Sequence, residues 1–232
     1  MARERDLGAP LEWTPAREPG REALDGRFVR LEPLAGSHRD ALFACLHTGD
    51  GGLWDYLPYG PFGEPGWRDW FAGAAASEDP LFFAVVDRDG GRPVGQGSYL
   101  RIEPGHGVIE IGHLAFSPAL QRTRGATEAV YLLARHAFDV LGYRRLEWKC
   151  NALNARSRAA AERLGFTFEG VFRQHMVVKG RNRDTAWYAI VDGDWPRVRA
   201  AFEAWLEPGN FDHDGRQRTP LAALRETSGP WR

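Results

Sequence analysis

The sequence is poor in cysteine. Cys45 and Cys150 are its only two, and no Cys-x-x-Cys or clustered Cys/His spacing goes with them, which excludes a disulfide framework and a zinc motif. It also lacks an excess of charge of one sign. Lys and Arg number 30 against 31 Asp and Glu, so the 232 residues carry a formal net charge of −1. No global field therefore favours a nucleic acid or an anionic membrane as partner, and any anion site must be local. Long apolar runs are missing too. The run Leu81 to Val86 falls far short of the roughly 20 residues that span a bilayer, and the charged first 30 residues hold no signal-peptide core. A cytoplasmic protein is expected, with neither membrane nor nucleic-acid partner.

What is present is ordinary globular composition, 43% hydrophobic and 26% charged, with many aromatics, including nine Trp and 13 Phe. Aromatics in such numbers serve packing first. Residues 1–26 are aperiodic and rich in Pro, Gly and charge, which reads as an N-terminal arm, with Leu11 and Trp13 able to pin it to the body. Residues 207–232 return to that composition as a C-terminal tail. Between them, residues 27–206 form one domain of ordinary size.

Within that domain, Arg27 to Pro33 alternates as a strand, and His38 to Leu46 forms a helix with Ser37 as its cap. Gly49 to Gly66 (GDGGLWDYLPYGPFGEPG) is a long aromatic loop of the kind that tends to carry function. After a helix over Trp67 to Ser77, three strands follow: Leu81 to Asp87, Arg92 to Ile102 and Val108 to Phe116. They are separated by Gly-rich turns, as in an antiparallel meander. Ala126 to Leu141 is an amphipathic helix ended by Gly142. Arg145 to Cys150 is a strand, Asn154 to Leu164 a helix closed by Gly165, and Phe166 to Phe172 pairs with Thr185 to Val191. Asp194 to Leu206 is the last helix, with Lys179 to Arg183 a charged hairpin turn. This order predicts an α/β fold: a mixed sheet with helices on both faces, whose parallel pair, Val108 to Phe116 and Arg145 to Cys150, is joined by a right-handed crossover.

The junction of that crossover is where chemistry is expected. In Gln121-Arg122-Thr123-Arg124-Gly125-Ala126-Thr127 the free N–H groups of a helix's first turn, together with its dipole, make an anion cradle fit for a pyrophosphate. Arg122 and Arg124 would add counter-charge; a capped helix start with two solvated arginines is the other reading.

Four pieces occur in an order that resembles the GNAT superfamily of acyl-CoA-dependent N-acyltransferases, specifically its ribosomal-protein N-terminal acetyltransferase branch: Ile109-Glu110-Ile111-Gly112; Gln121 to Ala126 with Thr127-Glu128-Ala129; Asn154-Ala155-Arg156-Ser157; and Arg163-Leu164-Gly165-Phe166. The family's phosphate loop is Gln or Arg, two residues, Gly, one residue, then Gly or Ala. Two registers compete. Starting at Gln121 ends correctly on Ala126 but puts Arg124 where Gly is expected; starting at Arg122 recovers Gly125 but ends on Thr127. The first needs no shift of the helix.

The resemblance implies attack of a neutral amine on the thioester of acetyl-CoA, with no metal. It makes Glu110 the base and Ser157 a hydroxyl near the sulfur; an ordinary solvent-facing strand residue or an ion-pair partner is the other reading of Glu110. Asn154 and backbone groups of Leu114, Ala115 and Phe116 would hold the pantetheine arm. Asn154 and Ser157 are equally good residues for a helix N-terminus. His113 is expected to face away from Glu110 and to be packed. Trp54, Asp55, Tyr56 and Tyr59 are candidates for the acceptor side, with Met176 to Asp184 also near it; a hydrophobic plug is the other reading of those rings, and the charge of Lys179 to Arg183 is either solvated or, if functional, suited to an acidic acceptor or a CoA phosphate. The acceptor is an amine-bearing small molecule or a peptide N-terminus, and the branch implies a homodimer. A non-catalytic acyl-CoA-binding module of the same fold is the alternative.

Overall fold

The computed structural model describes residues 8–226; the first seven residues of the arm and the last six of the tail lie outside them. Eight strands, β1 (Leu24–Asp25), β2 (Val29–Pro33), β3 (Leu81–Asp87), β4 (Pro93–Glu103), β5 (Val108–Phe116), β6 (Arg145–Asn151), β7 (Thr167–Val178) and β8 (Arg181–Val191), form one sheet. Its order is β1-β2-β3-β4-β5-β6-β8-β7. Only β5 and β6 are parallel. The crossover between them is α3 (Arg124–Arg135), continued by a π-helical turn over His136–Val140 and ended by Gly142 at φ 82°, where a side chain would be strained.

Both faces of the sheet are covered, which is why β3 reads as an unbroken apolar run. Leu81, Phe83 and Val85 pack in the core beneath α3, α4 (Ala155–Leu164) and α5 (Trp195–Leu206). Phe82, Ala84 and Val86 pack in a second core with α1 (Arg39–Leu46) and α2 (Glu64–Ala76).

Four expectations are corrected. Ser37 does not cap a helix: a 3-10 turn over Gly36–His38 leads into α1 without a side-chain cap. The crossover helix starts at Arg124, because Thr123 caps it through a bond from the Ala126 N–H. The charged turn at 179–183 shrinks to Lys179-Gly180, with φ 49° and 72°, a two-residue hairpin turn. Strand β7 runs past Phe172 to Val178 through a bulge.

The arm is stitched on by backbone bonds from Ala16 to Pro104 O and Arg17 to Leu141 O. The Trp13 indole adds a bond to Gly105 O at 2.8 Å, and β1 pairs with β2. Leu11 is exposed. The tail folds back through α6 (Leu221–Glu226), which packs on α5.

Candidate active site

The ladder between β5 and β6 stops at the pair Ile111 and Trp148, although both strands continue. The cause lies on the other side of β5. Between Gln96↔Ala115 and Ser98↔Gly112, two residues of β4 advance against three of β5, which is a bulge, and His113 within it sits at φ 52°. Bulges bend the strand that carries them, and beyond this one β5 leaves β6. The backbone from Gly112 to Phe116 then has no strand partner on its β6 side. A cleft of about 1880 Å³ opens there, lined by Leu114 and Phe116 on one wall and by Cys150, Asn151, Asn154 and Ser157 on the other. Ala115 is fully buried in the second core.

One end of the cleft is the N-terminus of α3. Thr123 Oγ1 takes the Ala126 N–H at 3.2 Å; the remaining first-turn N–H groups have no carbonyl a turn earlier to bond. Arg122 adopts φ 62° and the Gln121 side chain bonds Phe116 O at 2.7 Å. Arg124 opens the helix with its guanidinium stacked over Phe28 and Phe211, 4.6 and 5.0 Å from their centroids. Gly125 has a packing reason: a Cβ there would lie 2.8 Å from Val29 Cγ1. Arg163 reaches Thr127 Oγ1 at 3.1 Å. Tail residues Phe211, Arg216 and Gln217 complete this wall.

At the other end, Glu110 faces away from α3 and is almost wholly buried. Arg101 Nη1 at 2.6 Å and Lys149 Nζ at 3.0 Å both contact its Oε2. Burial raises its proton affinity above that of an ordinary carboxyl, and the two cations only partly oppose this. Lys149 also pairs with Glu147 at 2.6 Å and lies over the Trp187 ring. His113 turns out to share the face of Glu110, because the extra residue of the bulge inverts the strand alternation that would separate them. Its ring stacks on Tyr59 and contacts Phe82, and its Nδ1 is 3.1 Å from the Tyr59 hydroxyl. Burial lowers its pKa to about 4, so it is neutral at pH 7.

Asn154 caps α4 by accepting from the Ser157 N–H at 3.1 Å. The Ser157 hydroxyl accepts from the Trp148 indole at 3.0 Å. The aromatic loop divides. Asp55 and Tyr56 line the cleft, and the Tyr56 hydroxyl bonds Leu153 O at 3.3 Å. Trp54 and Tyr59 do not. Trp54 is packed among His47, Phe62 and Trp67, and Tyr59 beside Phe62 and Trp70, as the plug under the loop. Lys179 at the β7–β8 turn bonds Trp54 O at 2.7 Å and ties loop to hairpin.

Sequence reasoning overlooked Glu128, which is buried and accepts from the N–H groups of Arg27, Phe28 and Val29 at 2.6 to 2.9 Å. It anchors the start of β2, and only the fold brings these groups together. It also overlooked Arg101 and Lys149, which line the cleft together with Arg183 of the charged hairpin segment.

The profile of the acetyltransferase (GNAT) domain matches residues 29–167, more than half of the chain. The chain belongs to the GNAT family. It is an acyltransferase of a family that uses acetyl-CoA. A GCN5-related N-acetyltransferase from Brucella melitensis is 48% identical and superimposes with a TM-score of 0.91, over 93% of this chain and 99% of that one. The uncharacterized N-acetyltransferase YnaD of Bacillus subtilis is 25% identical over 149 residues, 64% of this chain and 86% of that protein. RimL, a ribosomal alpha-N-protein acetyltransferase solved with coenzyme A, shares the fold at a TM-score of 0.65 and 22% identity, over 74% of this chain and 99% of that one. Among the described residues of this GNAT protein, no group of His, Cys, Asp and Glu could hold a metal ion, and no helix is long and apolar enough to cross a membrane.

Proposed function

We propose that this GNAT protein transfers an acetyl group from acetyl-CoA to a primary amine by direct attack on the thioester. The observation that carries the reading is the gap opened by the β5 bulge, with Glu110 beyond one face, Ser157 on the other and a helix N-terminus at its end. The donor set suits acetyl-CoA, which supplies the electrophilic carbonyl. Backbone groups of Arg122 to Ala126, with Arg122, Arg163 and Thr127, would hold the pyrophosphate. The free edge of Leu114 to Phe116 and Asn154 would hold the pantetheine arm, and Asp55 and Tyr56 border the acceptor.

Glu110 takes the amine proton, directly or through water. Its raised proton affinity suits a base better than an ordinary surface carboxylate, while Arg101 and Lys149 keep its Oε2 in place. Ser157 accepts from Trp148 and so keeps its own proton to donate toward sulfur. The test is thiol release from acetyl-CoA with a panel of amines. Glu110→Gln should lower turnover at neutral pH about 100-fold or more and leave acetyl-CoA affinity nearly unchanged; an unaltered pH–rate profile would remove Glu110 from the role. Arg124, standing where the family has Gly, favours the second reading, a non-catalytic acyl-CoA-binding module. Tight acetyl-CoA binding with no thiol released by any amine would establish that one instead.

A further inference from the structure

On the sheet face opposite α3 and α4, charged side chains alternate in a row. Arg101 meets Glu110, Glu110 meets Lys149, Lys149 meets Glu147, Glu147 meets Arg145, and Arg145 meets Glu169, all at 2.5 to 3.0 Å. Three cations face three carboxylates, so the row compensates itself.

Arg183 stands at its end and joins none of these pairs. It lies on β8 two residues beyond Thr185, the partner of Asn151 at the end of β6, and therefore beside the mouth of the β5–β6 gap. It lines the cleft. It is half-buried, and its Nε is enclosed with no hydrogen-bond partner among the described residues. The charged and titratable groups whose fields reach it are Cys150, Glu110 and Arg101, and its own field reaches His113. Of these only Glu110 is an anion, and its Oε2 is already held by Arg101 and Lys149. Burial lowers the proton affinity of the Arg183 guanidinium, as expected of a cation drawn out of water without a counter-ion. A cation partly withdrawn from water in this way costs free energy, and an anion beside it would offset that cost.

Resting on the acetyl-transfer reading, we propose that Arg183 binds a carboxylate of the acceptor, and that the acceptors are free amino acids or closely similar amines bearing a carboxylate. A planar guanidinium matches a carboxylate in two parallel bonds. A single uncompensated positive charge suits a monoanion, whereas a phosphate dianion would leave net negative charge in a partly desolvated site. A peptide N-terminus has no α-carboxylate and, unless its first side chain is acidic, would leave Arg183 unpaired.

The experiment pairs amino acids with their carboxamides. Thiol release from acetyl-CoA and the thermal shift of the CoA-loaded protein are both measured, for wild type, Arg183→Gln and Arg183→Lys. For wild type kcat/KM should favour the acid over the amide by about tenfold or more, the discrimination expected of one charge-assisted contact. In Arg183→Gln that ratio should fall to near one with the KM for acetyl-CoA unmoved, and Arg183→Lys should recover part of it. Equal use of acid and amide by wild type would overturn the proposal. So would a ratio insensitive to Arg183→Gln, or a parallel rise in the KM for acetyl-CoA. Acid-specific thermal stabilisation that Arg183→Gln abolishes, without turnover of any amine, would uphold the carboxylate site and remove the acetyl-transfer reading. Absence of both turnover and acid-specific stabilisation would overturn the two together.

Discussion

His113 shows how a single residue links site geometry to stability. Its imidazole would protonate near pH 6.5 in the unfolded chain but only near 4 in the folded one. Between those values the unfolded state binds more protons. The stabilisation is therefore complete above pH 6.5 and is lost as pH falls toward 4. From pH 7 to 5 this amounts to about 2 kcal/mol. Asparagine tolerates the positive φ of this position and does not titrate in that range. His113→Asn should accordingly shrink the loss of stability between pH 7 and 5 by about that amount, measured by urea unfolding at the two pH values. An unchanged pH dependence would mean that His113 titrates normally. Glu128 makes the complementary case, because its carboxylate serves three backbone N–H groups. Glu128→Ala would strand all three donors in a buried place and should cost about 3 kcal/mol or more. Glu128→Gln keeps one accepting oxygen and should cost visibly less; equal melting temperatures for the two variants would contradict this account.

At the scale of elements, the loop after α1 is held by its own aromatic plug. Trp54 is almost fully buried, and Gly60, at φ 65°, approaches it so closely that a Cβ would lie 2.5 Å from Cε3. Trp54→Ala should cost about 3–5 kcal/mol as a core truncation and release Asp55 and Tyr56 from the cleft. Thermal unfolding would show a much smaller penalty for Trp54→Phe. The plug also marks where the sequence was and was not legible. A run of Gly, Pro and aromatic residues announces a functional loop, yet which rings face inward depends on contacts with α2 and β5 that lie far off in sequence. Strands β3 and β5 are legible to the residue because each lies between a Gly-containing turn and a Pro-containing one. Strand β7 could not, since Arg173, Gln174 and His175 break its alternation. There a bulge, with Gln174 at φ 53°, carries the ladder on through backbone pairing alone. Similarly, Glu110 is marked by its neighbours in sequence, whereas Arg183 is one charge of a hairpin turn whose neighbours assign it no role, and the face of His113 is not legible because bulges leave no periodic trace.

For the molecule as a whole, a net charge of −1 conceals an uneven distribution. Arg122, Arg124, Arg163 and Arg216 line the cleft around the start of α3 and none of them forms an ion pair with a carboxylate among the described residues, whereas Arg101, Lys149 and Arg145 on the opposite sheet face are all paired. The tail is what closes this basic end. Phe211 packs on Trp205 and beneath Arg124, Gln217 accepts from the Trp205 indole at 2.7 Å, and Arg225 bonds Glu162 O at 3.0 Å. On the proposed reading, limiting where Arg124 can point would pre-organise the start of α3 for acetyl-CoA, so the tail should matter more for holding acetyl-CoA than for acetyl transfer itself. A chain ended at Glu207 uncovers Trp205 and Leu221's contact surface, and should melt several degrees lower, about 2–4 °C for each kcal/mol lost. Phe211→Ala in the full-length chain separates the two effects. It should keep most of the stability yet raise the Kd for acetyl-CoA about threefold to tenfold, roughly one lost cation–π contact, with the acceptor KM unmoved. Calorimetric titration of acetyl-CoA into both proteins decides the matter: if the truncated chain and Phe211→Ala bind it as tightly as wild type, the tail is only a structural cover for α5.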